Sequence, residues 1–138
     1  MPRNLKSTTS DSEPPELNGY VVNAHADPVD FRDRMYVPAL VEVSTHLPME
    51  RYLERGVPVL DQGREGACTG FALAAVAHYL LRSRTSDPDT AQVSPHMLYH
   101  MARQHDEWPG ERYSGSSARG AMKGWHKYGV CSAEAWPA

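Results

Sequence analysis

The 138-residue chain has no isoleucine and only two phenylalanines, and its large aliphatic and Phe side chains amount to 10 Leu, 11 Val and 2 Phe. At about 17% of the chain these residues fall below the usual globular share, so the chain is short of core. A net charge of only −3 nevertheless keeps it out of the disordered class. It also lacks an excess of positive charge, with 14 basic against 17 acidic residues, which excludes a general nucleic-acid binder that needs clustered Lys and Arg. No stretch approaches the roughly 18 apolar residues of a membrane span, so no membrane partner is expected. Met1 to Thr9 carries positive charge with no apolar run after it, unlike a secretory signal. Two cysteines, Cys68 and Cys131, cannot build a disulfide framework, and a reducing, cytoplasmic setting follows as the expectation.

Residues 1–19, rich in Ser, Thr, Pro and Glu, read as a flexible lead-in with nothing to bury. From 20 to 60 the chain reads as an extended arm broken by Pro28, Pro38, Pro48 and Pro58, with one or two helical turns between Pro48 and Arg55. Phe71 to Leu81 is apolar on every side except at His78, the pattern of a buried helix, and residues 61–84 form the motif and central-helix unit. Ser94 as cap, Pro95 at the first helical position and the stripe Met97, Leu98, Met101, Ala102 predict a second helix. A third starts from Ser117 as cap and stops at Gly129, so two further helices fall within 94–129. Between them, 105–116 is a polar loop containing Trp108-Pro109-Gly110 and Ser114-Gly115-Ser116. The chain ends at Trp136-Pro137-Ala138 with no closing element, which reads as stopping mid-fold.

The stretch Asp61-Gln62-Gly63-Arg64-Glu65-Gly66-Ala67-Cys68-Thr69-Gly70-Phe71 carries the chemistry. A cysteine at the first turn of a helix meets unpaired backbone N–H groups and the positive end of the helix dipole, which favour thiolate, the nucleophilic form. Gly63 and Gly66 allow close backbone approach to a substrate. Gln62, six residues upstream, is near enough to fold back and join the Cys68 N–H as a two-donor oxyanion hole. The competing account is a small buried cysteine in an ordinary loop.

This stretch resembles the nucleophile motif of papain-like cysteine peptidases, Gln-Gly-x-x-Gly-Ser-Cys-x-Ala-Phe, and is most similar to the bacterial branch, where Thr follows the Cys. The resemblance implies an α+β fold, of which this chain is mainly the helical half with an extended amino-terminal arm. It implies that Cys68 is the nucleophile and Gln62 the oxyanion-hole side chain, with Gly66 and Ala67 beside the substrate. Val93 to Tyr99 is similar to the family's second helix, and Ser114 to Ser117, Tyr128 to Cys131 and Trp136-Pro137 resemble the segments after it. Asp27-Pro28 through Asp33-Arg34 and Tyr36 resemble the mature amino-terminal arm, so the similarity spans residues 20–138. By the same resemblance Gly115 and Ser116 align an extended substrate backbone, with Ser117 and Ala118 beside the second substrate pocket.

The sequence departs from the pattern in several places. Ala67 stands for Ser, and Glu65 stands where secreted members have a disulfide cysteine. No long helical inhibitory propeptide precedes the motif. The base His and orienting Asn of the family fall 130–150 residues after the cysteine, past Ala138. The nucleophile and oxyanion donors are therefore expected here, and the base from a carboxy-terminal half, from the same precursor or another chain, or from a homo-oligomer. The expected partner is a peptide or protein substrate. Non-catalytic peptide or partner binding, and thiol acyl transfer, are the alternatives.

His78 lies ten residues along the helix from Cys68, about 15 Å at the standard rise, too far to act on the thiol. All seven histidines read as solvated or hydrogen-bonded surface groups. His96 and His100 have a metal-compatible spacing, with no third ligand to complete a site, and no cofactor motif is present. Asp87, Asp89, Asp106 and Glu107 read as surface charge, and Cys131 as a buried structural thiol.

Overall fold

The computed structural model describes residues 16–21, 24–27, 29–34, 37, 46, 48–106 and 115–138. The mixed α and β content is dominated by helix, in the order β1 (Glu16–Leu17), β2 (Tyr20–Val21), β3 (Ala24–His25), α1 (Met49–Glu54), α2 (Cys68–Arg82), α3 (Pro95–Gln104), β4 (Ser116–Ser117) and α4 (Ala118–Tyr128). Tyr36 and most of the loop 105–116, including Trp108-Pro109-Gly110 and Ser114, lie outside the described residues, as does the lead-in up to residue 15. Among the described residues no helix is long and apolar enough to cross a membrane.

Local chemistry sets the helix ends. The Ser94 hydroxyl accepts the Met97 N–H at 3.0 Å, and Ser117 accepts the Gly120 N–H at 3.0 Å, so both predicted caps form. α4 ends at Gly129, as expected. The Ser94 hydroxyl also donates to the Trp136 carbonyl at 2.7 Å, which ties the last described segment to the start of α3.

The core is built on small side chains. Leu73, Ala74, Ala77, Val93, Leu98, Ala102 and Ala121 form one buried cluster, edged by Leu60, Leu81, Trp125 and Val130. Alanines let the helices approach closely, and the packing of α2 on α3 is tighter still at Gly70. A Cβ there would lie 2.5 Å from the Pro95 carbonyl oxygen and 2.8 Å from the Tyr99 nitrogen. Only a glycine allows that crossing.

Four sequence expectations change. α2 is not buried on every face: Gly70, Leu73, Ala74, Ala77 and His78 face inward, while Val76 and Leu80 on the opposite side are about half exposed. With Ala, Val and Leu on both sides, periodicity gives no sign of which face is covered. His78 is not a surface group; it is fully buried, and its Nε2 accepts the Val93 N–H at 2.8 Å. Asp106 is not surface charge either, since it is buried and its Oδ2 accepts the Ser117 N–H at 2.8 Å. Finally, the lead-in contains a hairpin, with β1 and β2 paired antiparallel across Asn18-Gly19. Both turn residues have positive φ, 53° and 85°, as a two-residue turn of primed type requires.

Candidate functional site around Cys68

Cys68 is the first residue of α2 and half-buried. No side chain caps this helix, and its first turn holds no acidic residue, so its amino-terminal N–H groups take no side-chain cap. The loop before it is folded by its own polar groups. Asp61 Oδ1 accepts the Gly63 N–H at 2.8 Å, and the Gln62 carbonyl accepts the Glu65 N–H at 3.2 Å. Glu65 Oε2 lies 3.3 Å from His96 Nδ1, and the Phe71 ring stands edge-on to the His96 ring, so the loop is tied to the start of α3.

That fold-back brings Gln62 and Cys68 to one open groove, whose other walls are Tyr20, Val59, Leu60 and Asp61. Sequence reasoning placed these two together; Tyr20, from β2, was not foreseen. Gly66 is half-buried beside them, whereas Ala67 is fully buried and presents no surface to a ligand.

The other expected substrate-binding residues are held by the chain itself. Gly115 is buried and its N–H donates to the Tyr99 hydroxyl at 3.0 Å. Ser116 has no exposed surface, and its hydroxyl is hydrogen-bonded to that of Thr69, the residue after Cys68. Ser117 is 2% exposed. Both serines form β4, which pairs in parallel with β3, Ala24 opposite Ser116 and His25 opposite Ser117.

Next to β4, in the first turn of α4, Arg119 gathers three carboxylates of the arm. Its N–H donates to Asp27 Oδ1 at 2.9 Å, one guanidinium nitrogen donates to Asp33 Oδ2 at 2.7 Å, and another lies 3.4 Å from Asp30 Oδ2. The Arg119 hydrogen bond holds the Asp33 carboxyl below the usual carboxylate range. The Arg32 side chain, with its Nε donating to Asp30 Oδ1 at 2.9 Å, does the same for Asp30, further assisted by the Arg32 backbone N–H.

Cys68 and Cys131 are both free thiols and both only partly buried, so Cys131 is not the buried thiol the sequence suggests; it offers its carbonyl to the Ser94 N–H at 3.0 Å. Among the described residues no group of three His, Cys, Asp or Glu is placed to hold a metal ion. His96 and His100 face different neighbours: His96 meets Glu65 and Phe71, while His100 pairs with Gln104 and lies against Trp136. No protein-family model matches the chain, nor does any curated protein or solved structure.

Proposed function

We propose that this chain is the nucleophile-bearing helical half of a cytoplasmic, bacterial-type papain-like cysteine peptidase. The observation that carries the reading is the common groove of Gln62 and Cys68, at a helix start with no side-chain cap. The Cys68 thiolate attacks a peptide carbonyl, and the oxyanion that forms is held by the Cys68 N–H and the Gln62 side-chain amide. Collapse of this intermediate releases the amine and leaves a thioester on Cys68, which water then hydrolyses. Proton transfer to the leaving amine and from the water belongs to a His oriented by Asn, supplied by a carboxy-terminal half.

The outward side of α2 supports a second half. Val76 and Leu80 lie on the helix face away from the core, and Met49 and Leu53 of α1 are more exposed still. Val76, one turn before Leu80, also lines an apolar groove with Pro48, Tyr52, Ala75 and Tyr79, and an exposed apolar surface of this kind is one that another element can cover. The same feature favours the second reading, a non-catalytic subunit that binds a partner through this surface.

Cys131 provides an internal control for the thiol. Cys68 is expected to be alkylated by iodoacetamide at least about tenfold faster than Cys131, the advantage of a nucleophile at an uncapped helix start in an open groove. Gln62→Ala leaves that ratio in place but slows acylation by a peptide thioester by about 10²-fold, the scale of one oxyanion donor. Equal reactivity of the two thiols removes the nucleophile from the proposal.

A further inference from the structure

We infer that the chain carries its own occupant of the peptide-binding strand: the arm segment bearing Ala24, His25, Asp27, Asp30 and Asp33 is a strap laid along β4 and latched by Arg119, and an extended peptide gains β4 only when the latch opens. The inference rests on the peptidase reading for its assignment of β4 to substrate. The strap itself rests on three contacts in one line.

At one end, Tyr20 forms a wall of the groove that holds Cys68 and Gln62. In the middle, Ala24 and His25 pair as main chain with Ser116 and Ser117. At the other end, Asp27, Asp30 and Asp33 converge on Arg119. The described parts of the arm therefore touch both the groove beside the thiol and the start of α4, and Ala24-His25 meets β4 as extended backbone, the form in which a peptide joins a strand. A two-residue pairing holds little by itself. The latch is what keeps it in place, and its members are ion pairs of graded exposure: Asp33 is half exposed, Asp27 about a third, Arg119 a fifth and Asp30 about a tenth. Such pairs are individually weak and are screened by salt. The strap can thus leave while the core of α2, α3 and α4, to which it contributes no buried residue among those described, stays folded.

The latch is tested in the full chain by Arg119→Ala, and by Asp27→Asn with Asp33→Asn, which substitutes no residue of α4 and keeps an acceptor for the Arg119 N–H. Release of an occupant that otherwise fills β4 most of the time raises apparent peptide affinity by the reciprocal of the open fraction. Both variants are expected to speed amide exchange at Ala24, His25 and Ser116, while the Ser117 N–H, held by Asp106 Oδ2, keeps its protection. They are expected to label Cys68 with an extended peptidyl chloromethyl ketone about tenfold faster than the parent, while iodoacetamide labelling changes by less than about twofold. Unchanged exchange in both variants overturns the latch, and faster exchange with unchanged peptidyl labelling overturns occupancy of a substrate strand. A Cys68 no more reactive than Cys131 sinks the peptidase reading alone. The strap is then read from binding of the same peptide without its chloromethyl ketone, about tenfold tighter in the variants if it stands and equal if it falls.

Discussion

Lowering the pH from about 7.5 to about 5.5 should destabilise the helical core through a single side chain, His78. The ring is fully buried, and Nε2 accepts the Val93 N–H at 2.8 Å, which demands a neutral imidazole with its proton on Nδ1. Burial, and after it the nearby Arg82 charge, holds the ring below its ordinary value of 6.5. The unfolded chain therefore takes up this proton first, and stability that is complete above about 6.5 drains away as the pH falls towards the folded value. For a ring that stays neutral in the folded state over this window, the loss between pH 7.5 and 5.5 comes to about 1.4 kcal/mol. Urea unfolding at several pH values measures it. His78→Gln separates this histidine from the other six, because a Gln amide oxygen can accept the same N–H without titrating. The parent should lose more stability than the Gln variant across the window, by up to about 1.4 kcal/mol. His78→Leu, which strands the Val93 N–H, should cost about 1–3 kcal/mol at pH 7.5, a deficit that narrows towards pH 5.5 as the parent loses its histidine-linked stability. Parallel pH profiles for parent and Gln variant would refute the reasoning.

Gly70→Ala pushes a methyl into the Pro95 carbonyl and the Tyr99 backbone, and should lower unfolding stability by about 1–3 kcal/mol in chemical denaturation. Ser94→Ala removes both the cap on Met97 and the bond to the Trp136 carbonyl, with an expected loss of about 2 kcal/mol and faster amide exchange over 132–136. Val76→Ser with Leu80→Ser should reduce binding of an apolar dye at a cost of about 1–3 kcal/mol in unfolding stability, the share of burial that two half-exposed side chains retain. A loss well beyond that would show that this face is already packed. The isolated chain should hydrolyse fluorogenic peptides no faster than its Cys68→Ala variant, and turnover abolished by that substitution would reveal a base within the chain.

What the sequence disclosed follows how local each cause is. The Ser94 and Ser117 caps, Pro95 and Gly129 act within one helical turn, and those helix ends fall where the residues place them. The Gln62–Cys68 neighbourhood was also legible, since a tight turn at Asp61 to Gly63 is all that returns the chain. The Asn18-Gly19 turn is as local, but a boundary drawn on Ser- and Pro-rich composition cut through it. Burial of His78 and Asp106 was hidden because each is satisfied by a partner 15 or 11 residues away that no pattern announces. The arm's return to β4 was further from reach, with Asp27 and Arg119 separated by 92 positions.

The hydroxyl pair of Thr69 and Ser116 joins the residue after the sulfur to the strand beneath it. Any displacement of that strand tugs on the opening turn of α2, and any shift of the opening turn is transmitted back. What lies on the strand and where that opening turn sits are on this account coupled, and the coupling of two equilibria acts equally in both directions. A peptide reagent, which needs the strand, feels that coupling, whereas a small alkylating agent, which does not, feels little of it.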